Sequence, residues 1–456
     1  MRIILFGTGR IFERYKCYVE FKHVTEIIDN SNDKHNEECC GYQIKYPSEV
    51  AYKDCDYVII MTDSYDVMKK QLLGSGVPSK KIKSYKDIGE IFRLDISMHI
   101  GNKQLNYAEW DTGGKKIFIM SHSGGRTGVP IALMNHALLL RELGWIVVYG
   151  ILDSGSICEE LRTKGIPCID DVILKARSEK FLSFLRKFDM ILIGTLVLTE
   201  FEKEINSLMI PTIWWIHESQ KRLYEKYKLP ENDNHIKYYG VGDRVFNVFH
   251  QFYPDKKIDS MIYYLPDQHG FRKNKSKIFT FTFIGSDSKR KGLDILVQAI
   301  KCLEENVRNQ IRVIMVCPDA GNDDYNMVKE IPQISMMGEK NQKEILKIYS
   351  YTDILVCPSR DDPMPIVVTQ AIQHEIPCIV SDQVGQSIYF EDNNGGFVFE
   401  NENYRQLADI MKFCVLKNDL IEEGKKARQV YDCFFSQKYV INKMKTIFGF
   451  EDWNKC

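Results

Sequence analysis

A chain of 456 residues is too long for one hydrophobic core of ordinary size, and about three domains is the expectation from length. Its 61 basic and 62 acidic residues nearly cancel, which leaves no field to hold a nucleic-acid backbone and excludes nucleic-acid partners on that ground. The longest apolar runs, such as Met190 to Leu198, reach about half a bilayer span, and Met1 to Phe6 is too short for a signal-peptide core. A cytoplasmic protein is expected, and its 13 scattered cysteines read as reduced, mostly buried thiols.

The first unit opens with a strand over Arg2 to Phe6, a turn at Gly7-Thr8-Gly9, and a second strand ending at Asp29. This is the outline of a dinucleotide-binding βαβ, but Phe12 stands where the third glycine of that fingerprint belongs. A dehydrogenase or epimerase built on Gly7 and Gly9 is therefore the weakest of the functional readings. After a strand over Tyr57 to Met61 and a helix to Leu73, the unit closes near GVPSKKI and spans residues 1–96. It resembles the small Rossmann-like domain fused to acyltransferases and sugar-transfer enzymes of bacterial surface-polysaccharide pathways. A polar stretch from Ser97 to Lys116, with Asp111-Thr112-Gly113-Gly114, reads as a linker.

The second unit, residues 115–265, begins with a strand over Ile117 to Met120. A glycine-rich loop, Ser121 to Gly128, leads into a helix with Pro130 in its first turn. Strands over Ile146 to Ile151, Met190 to Ile193 and Thr212 to Ile216 alternate with helical segments, the pattern of a parallel sheet covered on both faces. The last of them ends in His217-Glu218. The stretch Pro266 to Lys277, rich in charge and turn formers, separates off a third unit, residues 277–434, with a terminal helix over 435–456 expected to pack back on the second unit.

Two strand-to-helix junctions of the third unit carry the chemistry. The strand Phe279 to Ile284 runs into Gly285-Ser286-Asp287-Ser288-Lys289-Arg290-Lys291-Gly292-Leu293-Asp294, a basic loop. The strand over Ile354 to Cys357 runs into Ser359-Arg360-Asp361-Asp362-Pro363-Met364-Pro365, after which Ile366 to Gln373 has helical spacing. Helix-start amides and cations at the carboxyl edge of one sheet suit an anion, and a phosphate is the natural guest. Paired acidic residues at 361 and 362 are not read as a metal clamp, because the nearby cations already neutralise a diphosphate; no metal and no other cofactor is expected.

Together these segments resemble the nucleotide-sugar half of the retaining GT-B glycosyltransferases of family 4, also called group 1, over about Lys116 to Phe448. The resemblance implies two Rossmann-like doubly wound domains facing a cleft, preceded here by the small third domain. It implies a nucleotide-sugar donor and a glycan or lipid-linked acceptor, in cell-surface polysaccharide assembly. Arg290 and Lys291 take the places of the family's diphosphate-gripping pair; the arginine the family has near the loop start falls at Ser286, so Arg290 stands in for it. The family's two glutamates eight positions apart correspond to Asp362 and Gln370, both departures. Pro363, Met364, Pro365, Ile366 and Val367 form the helix start at the donor phosphates, Met337 and Gly338 lie where the base is read, and Gly124, Gly125 and Arg126 where the glycine-rich loop nears donor and acceptor. His217 matches the active-site histidine that positions sugar hydroxyls, with His122 a weaker candidate. Lipid-linked acceptors imply peripheral contact with the inner face of the membrane, for which the basic and aromatic residues of Lys221 to Lys228 are the candidates. The rival reading is a non-catalytic GT-B-like subunit that binds a glycan or stabilises a partner transferase, motivated by Asp362 and Gln370.

Overall fold

The computed structural model describes residues 1–93, 98–100, 103–105, 113–153, 155–169, 174–175, 177, 179–268, 278–286, 288–317, 322–393 and 395–449. Asp111, Thr112, Asp287, most of the stretch between the second and third sequence units, and the last seven residues lie outside them. The chain divides into two compact units, one of residues 1–125, 144–190 and 207–210, the other of 126–143, 191–206 and 211–456.

The first unit begins with β1 (Ile3–Phe6), β2 (Val24–Ile28), β3 (Glu38–Cys39), β4 (Tyr42–Lys45), β5 (Tyr57–Ile60) and β6 (Ile82–Ser84). Their order is β3-β4-β2-β1-β5-β6, parallel except for the β3–β4 pair. Side chains alternate between two apolar layers. Leu5, Ile27 and Ile59 pack with Phe12 and Tyr15 on one face, while Phe6, Ile28 and Ile60 pack with Leu72 on the other, as a strand covered on both faces requires. Phe12 is fully buried, so the position that a nucleotide fold keeps bare is here part of the core.

The linker expected from Ser97 to Lys116 contains two strands instead, β7 (Met98–Ile100) and β8 (Lys103–Leu105), paired antiparallel. Three-residue strands are too short to show a period, and the partner that orders β7 is non-local: His99 faces Cys168 of β11 (Cys168–Ile169). With β9 (Lys116–Ser121) and β10 (Ile146–Ile151), these run in the order β9-β10-β11-β7-β8.

In the second unit β12 (Met190–Gly194), β13 (Thr212–Ile216), β14 (Ile236–Gly240) and β15 (Ile258–Ser260) form a parallel run, β15-β14-β13-β12. Trp214 and Trp215 lie on opposite faces of β13, both fully buried, with their indole N–H groups on Thr195 O and Met261 O at 3.0 and 2.7 Å. The other sheet comprises β16 (Phe279–Ile284), β17 (Ile311–Val316), β18 (Ile334–Met336), β19 (Ile354–Cys357), β20 (Cys378–Ser381) and β21 (Gly396–Phe399). Its order, β18-β17-β16-β19-β20-β21, means that the chain winds outward from β16 and then returns to start again at β19. The crevice between the carboxyl ends of β16 and β19 is thus the topological switch point, where open α/β sheets hold ligands. The C-terminal helix Gln437–Ile447 lies against the helix Gly128–Glu142, with Gln437 Nε2 on Glu142 Oε2 at 3.1 Å.

Candidate active site at the switch point

The basic loop after β16 and the acidic turn after β19 are joined by side chains. Lys291 Nζ pairs with Asp362 Oδ2, and Arg290 Nη1 donates to the Asp361 carbonyl at 2.8 Å. Arg360 N–H donates to Arg290 O at 2.8 Å, while the Arg360 guanidinium forks onto both oxygens of Asp294 at 2.7 and 2.8 Å. Two chain segments some seventy residues apart therefore form one surface. Gly292 makes this possible: it has φ +73, and a Cβ there would lie 1.9 Å from Pro358 O.

The helix Ile366–Gln373 starts at Pro365, whose side chain makes no capping hydrogen bond. Its opening turn, which carries the amides of Ile366 and Val367, follows β19 at the same carboxyl edge of the sheet as the loop of Lys291, and the helix dipole adds partial positive charge. Pro365 itself brings no N–H, so the donors expected from residues 364 to 367 number three at most. Gln370 is half-buried on this helix. The adjacent Thr369 is buried and holds the helix to the crossing segment through Tyr263 OH at 2.7 Å. Ser286 is exposed at the start of the basic loop; Met337 and Gly338 follow β18 on the same carboxyl edge, Gly338 at φ +63.

His217 follows β13, its ring 4.3 Å from that of Trp215. Glu218 turns away from it into the protein, accepting hydrogen bonds from the Thr195 hydroxyl, from Leu196 N–H at 3.2 Å and from His217 N–H at 3.1 Å. Burial pushes the Glu218 carboxyl above the usual carboxylate range, with these bonds opposing the rise. Thr195 has φ +113, a conformation rare for a β-branched residue, so the partner of Glu218 is held under strain at the end of β12. Glu218 is an anchor for the loop that carries His217. Ser219 reaches the acidic turn after β19, with Oγ on Asp361 Oδ1 at 2.5 Å.

Gly124 and Gly125 belong to the first unit. A Cβ on Gly124 would lie 2.6 Å from Gly155 N, and the Gly124 N–H is taken by Asp153 O at 2.7 Å. The Gly125 N–H goes to Ser123 Oγ at 3.0 Å, and Arg126 is exposed. His122 is half-buried after β9, with burial lowering its pKa. Of the basic and aromatic residues expected to be exposed over Lys221 to Lys228, Lys221, Arg222, Lys226 and Lys228 are exposed and Tyr227 is half-buried, whereas Tyr224 is a correction: it is fully buried, 5.3 Å from the Phe252 ring, with its OH on Glu218 O at 2.8 Å. Among the described residues no helix is long and apolar enough to cross a membrane, and no three His, Cys, Asp or Glu side chains cluster as metal ligands.

A family model described as "Glycosyl transferases group 1" matches residues 266–429, one described as "Glycosyl-transferase family 4" matches 113–239, and one described as "C2185-like, N-terminal" matches 1–83. Residues 113–239 and 266–429 are thus matched as glycosyltransferase domains of the family-4, group 1 kind. The chain is 23% identical over 176 residues to the lipopolysaccharide glucosyltransferase WaaG of Escherichia coli K12, a match covering 37% of this chain and 46% of WaaG, under half of that relative's length. Crystallised HepE of Anabaena in complex with UDP-glucose superposes with a TM-score of 0.62 at 14% identity, covering 74% of this chain and all of HepE. Sucrose-phosphate synthase of Thermosynechococcus elongatus gives 0.62 at 13% identity, covering 74% and 98%. These superpositions show the GT-B fold, with the N-terminal mixed-sheet domain as an addition to it.

Sequence reasoning passed over Thr195, Ser219, Arg244 and Gln383. Arg244 was the findable one, since Gly242-Asp243-Arg244 stands at a strand-to-helix junction of the same kind as those already singled out. Gln383 and Thr195 act through contacts that no spacing announces.

Proposed function

We propose that this chain moves a hexosyl group from a nucleotide sugar to a glycan or lipid-linked acceptor with retention of configuration, in cell-surface polysaccharide assembly. The observation that carries this is the Lys291–Asp362 pair at the switch point, with Arg290 beside it and the uncapped helix start after Pro365 opposite. A donor diphosphate at that crevice has two cations and a helix dipole to stabilise the charge that builds as it departs. In the transfer step the acceptor oxygen bonds to the anomeric carbon on the face from which the nucleoside diphosphate leaves. The bond from that carbon to the phosphate oxygen breaks, and the same oxygen takes the acceptor's proton. His217 orients sugar hydroxyls, Met337 and Gly338 meet the base, Gln370 and Asp362 address the donor's hydroxyls, and Gly124, Gly125 and Arg126 serve donor phosphate and acceptor. UDP-glucose is the first donor to try, because HepE was crystallised with it.

A melting-temperature screen against UDP-, GDP- and dTDP-sugars, followed by measurement of nucleotide release, tests the proposal. One donor that raises the melting temperature and is turned over supports it. The non-catalytic alternative is favoured by Gln370, which lacks the carboxylate its relatives use, and it predicts a glycan-dependent rise with no nucleotide released.

A further inference from the structure

Arg244 opens the helix Asp243–Phe252 at the carboxyl end of β14, and its guanidinium spans two partners. Nη1 donates to Gln383 Oε1 at 2.7 Å and Nη2 to Asp361 Oδ1 at 3.0 Å. The same Asp361 oxygen accepts from Ser219, two residues beyond His217. Gln383 is bound to the turn through its backbone, since Asp362 N–H donates to Gln383 O at 3.2 Å. The adjacent carboxylates thus face different elements: Asp362 takes the basic loop's Lys291, and Asp361 takes the helix and the histidine loop. Arg244 and Asp361 side chains are 25% and 21% exposed, so water screens the pair only in part.

We propose that Arg244 and Asp361 are a positioning pair for sugar transfer. Their ion pair, extended to Ser219 and Gln383, fixes the separation between the His217 loop and the donor turn. This rests on the donor assignment made above. Hydroxyl groups addressed by His217 then stay in line with a sugar whose diphosphate lies at Lys291, and a displacement of about 1 Å at such a distance costs on the order of 100-fold in rate. A planar fork that holds a carboxylate and an amide together is a task for arginine; a lysine ammonium in its place is a single point charge.

The test uses full-length Arg244→Gln, Asp361→Asn and their double variant, with UDP and UDP-glucose as probes. UDP affinity by calorimetry is expected to stay within about threefold of wild type, while glucose release from UDP-glucose falls roughly 10- to 100-fold. The double variant is expected to be no slower than the slower single one, because both remove one interaction. Hydrogen exchange in the free protein gives a second readout that needs no nucleotide: Arg244→Gln speeds exchange at residues 217–220, to which Arg244 is joined through the Asp361–Ser219 hydrogen bond, as well as at 361–365. Ser219→Ala, a smaller change, speeds exchange at 361–365 and keeps the test open should Arg244→Gln fail to fold. Exchange quickened only around residue 244, or rate effects that multiply in the double variant, overturns the proposal. Reciprocal exchange effects in the two variants, together with a wild-type protein that binds no UDP, support the clasp and overturn the donor assignment instead.

Discussion

Lys291 Nζ rests on Asp362 Oδ2 and so joins the loop after β16 to the turn after β19. Both side chains are nearly out of solvent, at 13% and 10% exposure. Asp362 therefore holds the cation that the proposed function assigns to a diphosphate, and a multiply charged diphosphate must outcompete one carboxylate for it. The pair ties the turn to the basic loop, and in the proposed function it also serves the donor grip.

Lys291→Ala is expected to remove most of the rise in melting temperature that UDP produces. It also strips a partner from a mostly buried carboxylate, at roughly 3 kcal/mol, the low end of what breaking such a pair costs. Combining Lys291→Met with Asp362→Asn restores most of that stability and none of the UDP response. Thermal melts with and without UDP decide it, and an undiminished UDP shift in Lys291→Ala would refute the diphosphate assignment.

The glycines around the turn separate by what a methyl group would meet. On Gly385 it would lie 1.6 Å from Pro363 O, a backbone atom that cannot step aside; on Gly242 it would meet Met364 Cε at 3.0 Å, the end of a flexible side chain. Gly385→Ala is therefore expected to cost the more, roughly 3 kcal/mol or above, and to abolish turnover, whereas Gly242→Ala finds room for its methyl and costs roughly 1 to 2 kcal/mol, the strain of placing a side chain at φ +159. Denaturant melts of the two variants rank them, and equal losses would contradict this account of the turn.

Much of the sheet framework was legible in the sequence, because parallel strands covered on both faces read as apolar runs. The runs over Ile146 to Ile151, Thr212 to Ile216 and Phe279 to Ile284 stand where β10, β13 and β16 are found. The hairpin β7–β8 was not legible, since its strands are three residues long and its partner lies far along the chain. At the candidate site, the strand-to-helix junctions announced Lys291 and Asp362. The division of labour between Asp361 and Asp362 was hidden, because neighbouring carboxylates look alike until their partners are placed.

Glu218 offers a pH signature. Its carboxyl is raised, so the folded state holds that proton more firmly than the unfolded chain does. The group's ionisation therefore costs nothing below its ordinary pKa, and the destabilisation grows as pH rises from there through the folded value. Glu218→Gln can give an amide N–H to Thr195 and accept from Leu196 and His217, so it is expected to flatten that part of the pH–stability curve and keep turnover within a few-fold. Glu218→Ala leaves two backbone N–H groups without their acceptor, at roughly 1 to 3 kcal/mol each. Chemical denaturation between pH 4 and 8 measures both, and a Glu218→Gln enzyme with a shifted pH–rate profile would mean that the carboxylate takes part in proton transfer.

Two histidines set the acid limit from the opposite direction. His136, on the helix Gly128–Glu142, is fully buried with Nδ1 3.0 Å from Ala132 O and its ring 4.5 Å from Trp215; burial lowers its pKa to about 4. His374, at the end of the helix Ile366–Gln373, is lowered to about 4 by burial, with Asp267 opposing and Arg428 reinforcing. Neutral imidazole is what the fold accommodates in both cases. Stability is therefore intact above the ordinary histidine pKa near 6.5 and is lost as pH falls from there through the folded values, by up to roughly 3 kcal/mol per histidine at pH 4. His136→Met fills a similar volume and cannot be charged, so the difference in denaturant midpoint between pH 7 and pH 4.5 is expected to shrink by about half of the two-histidine share. His374→Met should remove a comparable part, and because the two sites lie on different helices the reductions should add. An acid sensitivity unchanged in both variants would show that carboxylate protonation, and not histidine burial, governs the loss.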